Sequence, residues 1–404
     1  MKMNRWIYAA AGVVILLFAG LIYAWSVMSR SIAAYFTGWT SAQLSLTFTI
    51  CMAFFCLGGL AAGILSGKIN VKINMIISGV LFLAGFTLTA NIQSLPQLYI
   101  GYGVLAGTAS GFAYNTTMGT VTKYFPDKPG LISGILLMGF GMGSFIVGKV
   151  YQAYTGEGEA FRNSFRVFGI ILCVVMLISC LFMRKPQEDE IKRYMPAEKK
   201  QAENSKEESG VEMAAPQMLR RTSFWLYFAW ATLLSSAGLA LIAQASSVAV
   251  EVNPQAAAGT VSTVVGLISI FNGIGRAIFG GLFDKIGRMK TMLLTDGVFF
   301  TAIILLVVSM LTKSFVILII GFIVAGLGFG GVTPTNSAFV SAFYGKKNYS
   351  INFSIINLCL LVASFGGTIA GLLFDASGSY FTTMIFMAAV IIAGSLSGMM
   401  IRKP

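Results

Sequence analysis

Twelve runs of apolar residues, each long enough to cross a bilayer, follow one another from end to end of this chain. A hydrocarbon core about 30 Å thick needs about 20 apolar residues in helical form. Lipid offers the backbone no hydrogen-bond partner, so such runs must satisfy their own amide groups as helices. The runs cover residues 5–28, 42–66, 72–93, 96–122, 130–154, 164–183, 222–250, 258–283, 290–312, 314–343, 349–374 and 379–401. Composition agrees: 56% of residues are hydrophobic and 11% charged, where a water-soluble domain carries about 25% charged residues. The expected fold is an all-α membrane protein of 12 transmembrane helices, with the lipid bilayer as its main solvent.

The first run extends from Trp6 to Met28. It is longer than the apolar core of about 7–15 residues found in a signal peptide, and reads as the first span. One stretch breaks the apolar pattern: residues 184–221 hold nine Lys/Arg and eight Asp/Glu. This reads as a solvated linker carrying a short surface helix. It divides the chain into an N-terminal six-helix bundle (1–184), a cytoplasmic charged linker (185–221) and a C-terminal six-helix bundle (222–404). An even number of spans puts both termini on one side. If that side is cytoplasmic, the inside segments carry about 22 Lys/Arg and the outside segments carry 5. The positive-inside rule therefore places both termini in the cytoplasm.

Several function classes fall away. The net charge is +13, but the basic residues sit in loops between apolar runs and form no nucleic-acid face. Cys51, Cys56, Cys173, Cys180 and Cys359 all lie in apolar runs without metal-ligand spacing, and histidine is absent. No metal, haem or other cofactor is expected, and the cysteines read as small core residues. Gly139-Phe-Gly141-Met-Gly143 and Gly326-Leu-Gly328-Phe-Gly330-Gly331 superficially resemble phosphate loops, but they lie inside spans with no preceding strand. Small residues there let helices approach closely. Neither a P-loop lysine motif nor a nucleophile–base pair is present, so the chain does not read as an ATPase or an enzyme.

The halves repeat. Gly63-Ile-Leu-Ser-Gly67-Lys68-Ile69 follows span two and Gly280-Gly-Leu-Phe-Asp284-Lys285-Ile286 follows span eight, at an offset of 217. Phe125-Pro-Asp-Lys128 and Phe343-Tyr-Gly-Lys346 correspond at an offset of 218. Parallel six-span repeats are a transporter plan in which solute binds near the midplane. The loop Gly281-Leu-Phe-Asp284-Lys285-Ile-Gly287-Arg288-Met-Lys290 resembles the signature loop of the major facilitator superfamily. That resemblance implies that Asp284 and Arg288 hold helix ends together on the cytoplasmic side and release them when access changes. The first-half copy has Gly67 and Val71 in their places.

A narrower resemblance spans most of the chain. Gly20-Leu-Ile-Tyr23-Ala-Trp25-Ser, Tyr124-Phe125-Pro126-Asp127-Lys128 with Gly130-Leu-Ile-Ser-Gly134, Met218-Leu-Arg220-Arg-Thr-Ser-Phe224-Trp225, Phe271-Asn272-Gly273 with Arg276, and Lys347-Asn348-Tyr349 are similar to the oxalate/formate antiporter family. That family is in turn similar to the monocarboxylate transporters. The resemblance implies a central site lined by aromatics of spans one, four and ten and a polar residue of span seven. Here those positions are Tyr23, Trp25, Tyr114, Phe329 and Gln244. Phe329 stands where relatives have tyrosine, which makes the site less polar.

Arg276 is the most informative residue. It lies eight residues before Asp284, about 12 Å from the helix end at 1.5 Å per residue, so near the midplane. An arginine there costs about 2.5–3.5 kcal/mol on insertion scales, and it keeps its proton. Its planar fork matches a carboxylate with two parallel hydrogen bonds. Asn272, at i−4, shares its helix face and reads as orienting the guanidinium or bonding the substrate. Monocarboxylate relatives commonly carry an acid there, and an amide cannot titrate. The resemblance also implies a lysine in span eleven that completes a two-cation site for dicarboxylate. The matching stretch is Ser354-Ile-Ile-Asn357-Leu, with no Lys or Arg between Lys347 and Arg402. One fixed cation suits one carboxylate, because a second unpaired negative charge would be costly to desolvate. Asn357 is a candidate hydrogen-bonding residue in its stead. Asp296, an acid within span nine, reads mainly as a pair with a basic loop residue or a polar contact to a neighbouring helix, with proton coupling as the lesser reading.

The expected activity is secondary active transport of a small organic anion, a monocarboxylate of the formate, lactate or pyruvate class. Alternating access would be coupled to a counter-anion or a co-transported proton, in a monomer in the cell membrane. Two readings compete. A drug or sugar transporter of the same fold is one, although 130–154 lacks the proline usual in span five of drug/proton antiporters. A non-transporting membrane sensor is the other, with no obvious output domain in the linker.

Overall fold

The computed structural model describes residues 4–39, 41–154, 159–194 and 212–402. The middle of the charged linker and both chain ends lie outside these residues. Eleven helices among the described residues are long and apolar enough to cross a membrane. A twelfth membrane-length segment, 95–121, runs as three joined pieces: α5 (Leu95–Leu98), a π-helical stretch Tyr99–Ala106 and α6 (Gly107–Val121). The observed bounds follow the apolar runs closely, because hydropathy and helix length are both set by the thickness to be crossed.

The chain divides into two compact units. The first holds the described residues up to Pro129, those from Gly139 to the charged linker, and Tyr349–Ile355. It begins with α1 (Arg5–Ala19), opened by the Asn4 side chain accepting from the Trp6 amide. A 3-10 turn, Gly20–Ala24, passes the chain to α2 (Trp25–Tyr35). The unit continues with α3 (Ser41–Leu65), α4 (Val71–Ala90), the α5–α6 segment, α7 (Pro129–Tyr154, from Gly139 onward) and α8 (Ala160–Phe182). Asn70 caps α4 through the Lys72 amide, satisfying one of the donors a helix start leaves open. The start of the linker lies against this unit through α9 (Glu188–Arg193). Arg184 forks onto Glu190 and bonds Tyr8, and Tyr8 stacks on Tyr124 at 4.2 Å. Arg5 forks onto Asp127. Partial burial pushes the Asp127 carboxyl up, but the Arg5 bond and charge outweigh this and hold it below its ordinary value.

The second unit holds Gly130–Met138, the described residues from Glu212 to Asn348, and those from Ile356 onward. After α10 (Ala215–Leu219) come α11 (Thr222–Val252), α12 (Ala258–Ile286) and α13 (Arg288–Thr312). Span ten is α14 (Phe315–Gly330) and α15 (Val332–Tyr344). Its break at Gly331 has a chemical cause. Pro334 has no amide to bond the Gly330 carbonyl, and Gly331 N bonds Gly328 O in a tighter i−3 pattern instead. Span eleven is broken twice, into α16 (Tyr349–Asn357, in this unit from Ile356 onward), α17 (Cys359–Ala363) and α18 (Phe365–Ser377), before α19 (Phe381–Met399). The end of the linker lies on this unit: the Glu212 carboxylate accepts from the Lys346 and Lys347 amides.

Candidate functional site

α12 carries the two residues on which the sequence reading centres. Asn272 lies at the middle of this 29-residue helix, and Arg276 follows one turn later. Both are buried, each with 4% exposure. The Arg276 guanidinium donates through Nη1 to the Leu137 carbonyl of α7 at 3.0 Å. Asn272 Nδ2 is buried and has no hydrogen-bond partner among the described residues. Leaving such a donor unmet costs about 1–3 kcal/mol, so a fold retains it where something else completes it. A fixed cation and an open amide donor one turn apart match the chemistry of a carboxylate: two oxygens, one negative charge and several lone pairs.

Two glycine contacts place this turn of α12. A Cβ on Gly134 would stand 2.3 Å from the Arg276 carbonyl oxygen, and one on Gly330 would stand 2.4 Å from the Asn272 oxygen and 3.0 Å from the Arg276 nitrogen. α7 and α14 therefore touch the α12 backbone itself. Nothing larger than glycine fits at either crossing without moving a helix.

The other candidates fall into separate settings. In the second unit, Phe329 lies over Gly238 of α11 and 6.3 Å from Phe299, next to the glycine that meets Asn272. Half-buried Gln244 accepts from the Tyr380 hydroxyl at 3.1 Å and faces the Gly367 carbonyl. Asn357 sits at the first break of span eleven and accepts from Asn336, which accepts from the Tyr227 hydroxyl at 2.8 Å. In the first unit, Tyr23 and Tyr114 share one ring partner: Phe140 is 5.5 Å from Tyr23 and 5.1 Å from Tyr114. Phe55 and Phe353 extend that wall around Tyr114. Trp25 belongs to a different cluster. Its indole donates to the Leu44 carbonyl at 2.9 Å, and its ring meets Tyr102.

The loop after α12 holds two helix ends. Asp284 accepts from the Gly130 and Leu131 amides at 3.1 and 2.9 Å, so a carboxylate caps the start of α7 where the helix dipole favours it. Arg288 donates to the Gly398 and Ile401 carbonyls at the end of α19, the favourable pole for a cation. Gly287 between the helices has φ of 76°, a conformation other residues rarely adopt.

The profile of the Major Facilitator Superfamily matches residues 7–368 and 231–403. The chain belongs to the Major Facilitator Superfamily. Its members are transporters rather than enzymes, and this one is a multi-pass protein of the cell membrane carrying a small solute. The oxalate:formate antiporter of Oxalobacter formigenes is 27% identical over 356 residues, which cover 86% of this chain and 80% of that one. Monocarboxylate transporter 12 of Mus musculus is 27% identical over 158 residues, 39% of this chain and 32% of its own. The solved proton:xylose symporter XylE has the same fold, with a TM-score of 0.75 over 97% of this chain and 95% of that one, at 12% identity.

Some neighbours of the candidate residues had no sequence signal. Leu137 contributes a backbone carbonyl, which no residue type announces. Phe140 lies between two glycines that read as packing residues. Asn336 and Tyr227 are ordinary inhabitants of apolar runs until their partners are known. The Gly130-x3-Gly134 spacing was the available clue to the α7–α12 crossing.

Proposed function

We propose that this facilitator carries a small monocarboxylate, with Arg276 as its anion-binding residue and Asn272 completing the site. The observation that carries this reading is the buried cation on α12 with an unmet amide donor one turn away. Similarity to the oxalate:formate antiporter and to a monocarboxylate transporter supports the same class. Between the dianion and the monoanion, the residues favour the latter. Asn357, where the resemblance would put a lysine, is an amide bonded to Asn336 and brings no second positive charge. Phe329 and Gln244, in the same unit as Arg276, would contact the short tail.

In this reading the carboxylate neutralises Arg276, and the loaded protein closes and reopens by alternating access because the neutral complex is less costly to enclose. The Asp284 hold on the start of α7 breaks and reforms in each cycle. The return step carries a second anion or an accompanying proton. Both termini face the cytoplasm, the charged linker joins two six-span halves, and a monomer suffices.

Selectivity tests this reading directly. Thermal unfolding of the purified protein is expected to shift upward with formate, lactate or pyruvate, because a ligand bound only to the native state stabilises it. Oxalate should shift it least. A shift with oxalate as large as that of the best monocarboxylate would contradict the single-cation assignment.

A further inference from the structure

Asp296 is a buried acid that the anion site leaves unused. It lies on α13 with 5% exposure, eight residues past Arg288 and so about 12 Å along the helix from its start. Trp230 of α11 donates to its Oδ1 at 2.9 Å, and the Ser395 side chain of α19 also hydrogen-bonds it. Both partners are neutral. Among the described residues no cation forms a salt bridge with it.

The ionisable groups on every helix packed around it are accounted for. α14 and α19 contain none. α15 offers Tyr344, whose hydroxyl pairs with Ser223. α11 offers Tyr227, whose hydroxyl goes to Asn336, and Glu251, which holds Ser379 and Tyr380. α12 offers Arg276, Asp284 and Lys285, of which Arg276 reaches Leu137, Asp284 caps α7 and Lys285 is exposed. On α13 itself, Lys290 is exposed and Arg288 is committed to the end of α19. An ionised carboxylate here would stand in apolar surroundings with neutral donors alone, a costly state. A carboxyl that takes a proton avoids it.

The position also connects to the anion site. Thr295, the preceding residue, meets Gly331 at the break of span ten: a Cβ there would stand 2.6 Å from its hydroxyl. Gly330, one residue earlier, lies against the backbone of Asn272 and Arg276. The broken middle of span ten is thus wedged between the acid's turn of α13 and the arginine's turn of α12.

We propose that Asp296 is a proton-binding site of this transporter, coupled through the Gly330–Gly331 break to the α12 turn that carries Asn272 and Arg276. Uptake forms the carboxyl O–H bond with a proton from water, and release returns that proton to water. No other reactant is needed. The coupling rests on the anion reading above; the proton site does not.

Infrared difference spectra of the protein in lipid nanodiscs, taken between about pH 5 and 9, test it. A protonated-carboxyl C=O stretch should appear at the acid end, fade as pH rises, and be missing from Asp296→Asn. Trp230→Phe should shift that band by removing its hydrogen bond, which keeps the test open if Asp296→Asn does not fold. Absence of the band at every pH, or a band that never changes, would overturn the proposal. Carboxylate counterflow in Asp296→Asn should lose its pH dependence. Titration of Asp296 without any carboxylate counterflow would remove the anion reading and leave the proton site. Counterflow without titration would remove the proton site alone.

Discussion

Arg276→Ala is expected to abolish saturable carboxylate binding while leaving a folded protein. Truncating one member of a buried, hydrogen-bonded charge pair costs about 2–5 kcal/mol, which is roughly 300-fold in affinity at the middle of that range. Much of that loss is the penalty on a carboxylate left in a closed site without its cation. Arg276→Lys should fall between, because an ammonium keeps the charge but cannot present two parallel donors. Asn272→Ala should cost less, as a neutral hydrogen bond is worth about 0.5–1.5 kcal/mol. Equilibrium binding of labelled monocarboxylate gives the ranking, and thermal unfolding without ligand separates affinity from folding. The Leu137 carbonyl loses its Arg276 donor in the alanine variant, so a modest fall in stability accompanies the loss. Retained affinity in Arg276→Ala would make this residue a tie to α7 and nothing more.

Gly134→Ala should be the second large effect, and its sign is diagnostic. Helix propensity alone favours alanine by about 1 kcal/mol. The added methyl, however, would stand 2.3 Å from the Arg276 carbonyl oxygen and 2.9 Å from the Ala277 Cα. These are backbone atoms that no rotamer change can move aside. Overpacking of this kind costs about 1–3 kcal/mol and pushes α7 off the turn that carries Arg276, so stability and anion binding should fall together. Gly281→Ala is the control. Its nearest neighbour is a leucine methyl at 3.5 Å, an ordinary contact, and it should behave as wild type. Measured thermal midpoints decide the matter. A Gly134→Ala protein as stable as wild type would mean that the α7–α12 crossing is looser than the structure shows.

What the sequence revealed and what it hid divide along physical lines. Span positions were legible because bilayer thickness imposes one length scale on every run, and α3, α11 and α13 begin and end within about two residues of the apolar boundaries, the usual scatter of helix ends. Arg276 was legible because a permanent charge is discordant in an apolar run. The breaks inside spans were not. The π-helical stretch Tyr99–Ala106 and the interruptions beside Asn357 and Ser364 lie within continuous apolar runs, and hydropathy does not register them. Pro334 is the exception, since its missing amide marks the break at Gly331 locally. Contacts through backbone atoms, such as the Leu137 carbonyl under Arg276 and the carbonyls under Arg288, leave no trace in residue type. Asp296 was visible as an acid in a span, but its neutral company of Trp230 and Ser395 emerged only from the packing.

Counterflow in proteoliposomes tests the central claim most directly. Vesicles holding the purified transporter and an excess of unlabelled formate, lactate or pyruvate are diluted into a trace of the labelled acid. Accumulation of label above its equilibrium level with at least one monocarboxylate, absent with Arg276→Ala, is the predicted result. No overshoot with any carboxylate, together with overshoot for a neutral solute such as a sugar, would contradict the account and leave Arg276 as a structural charge.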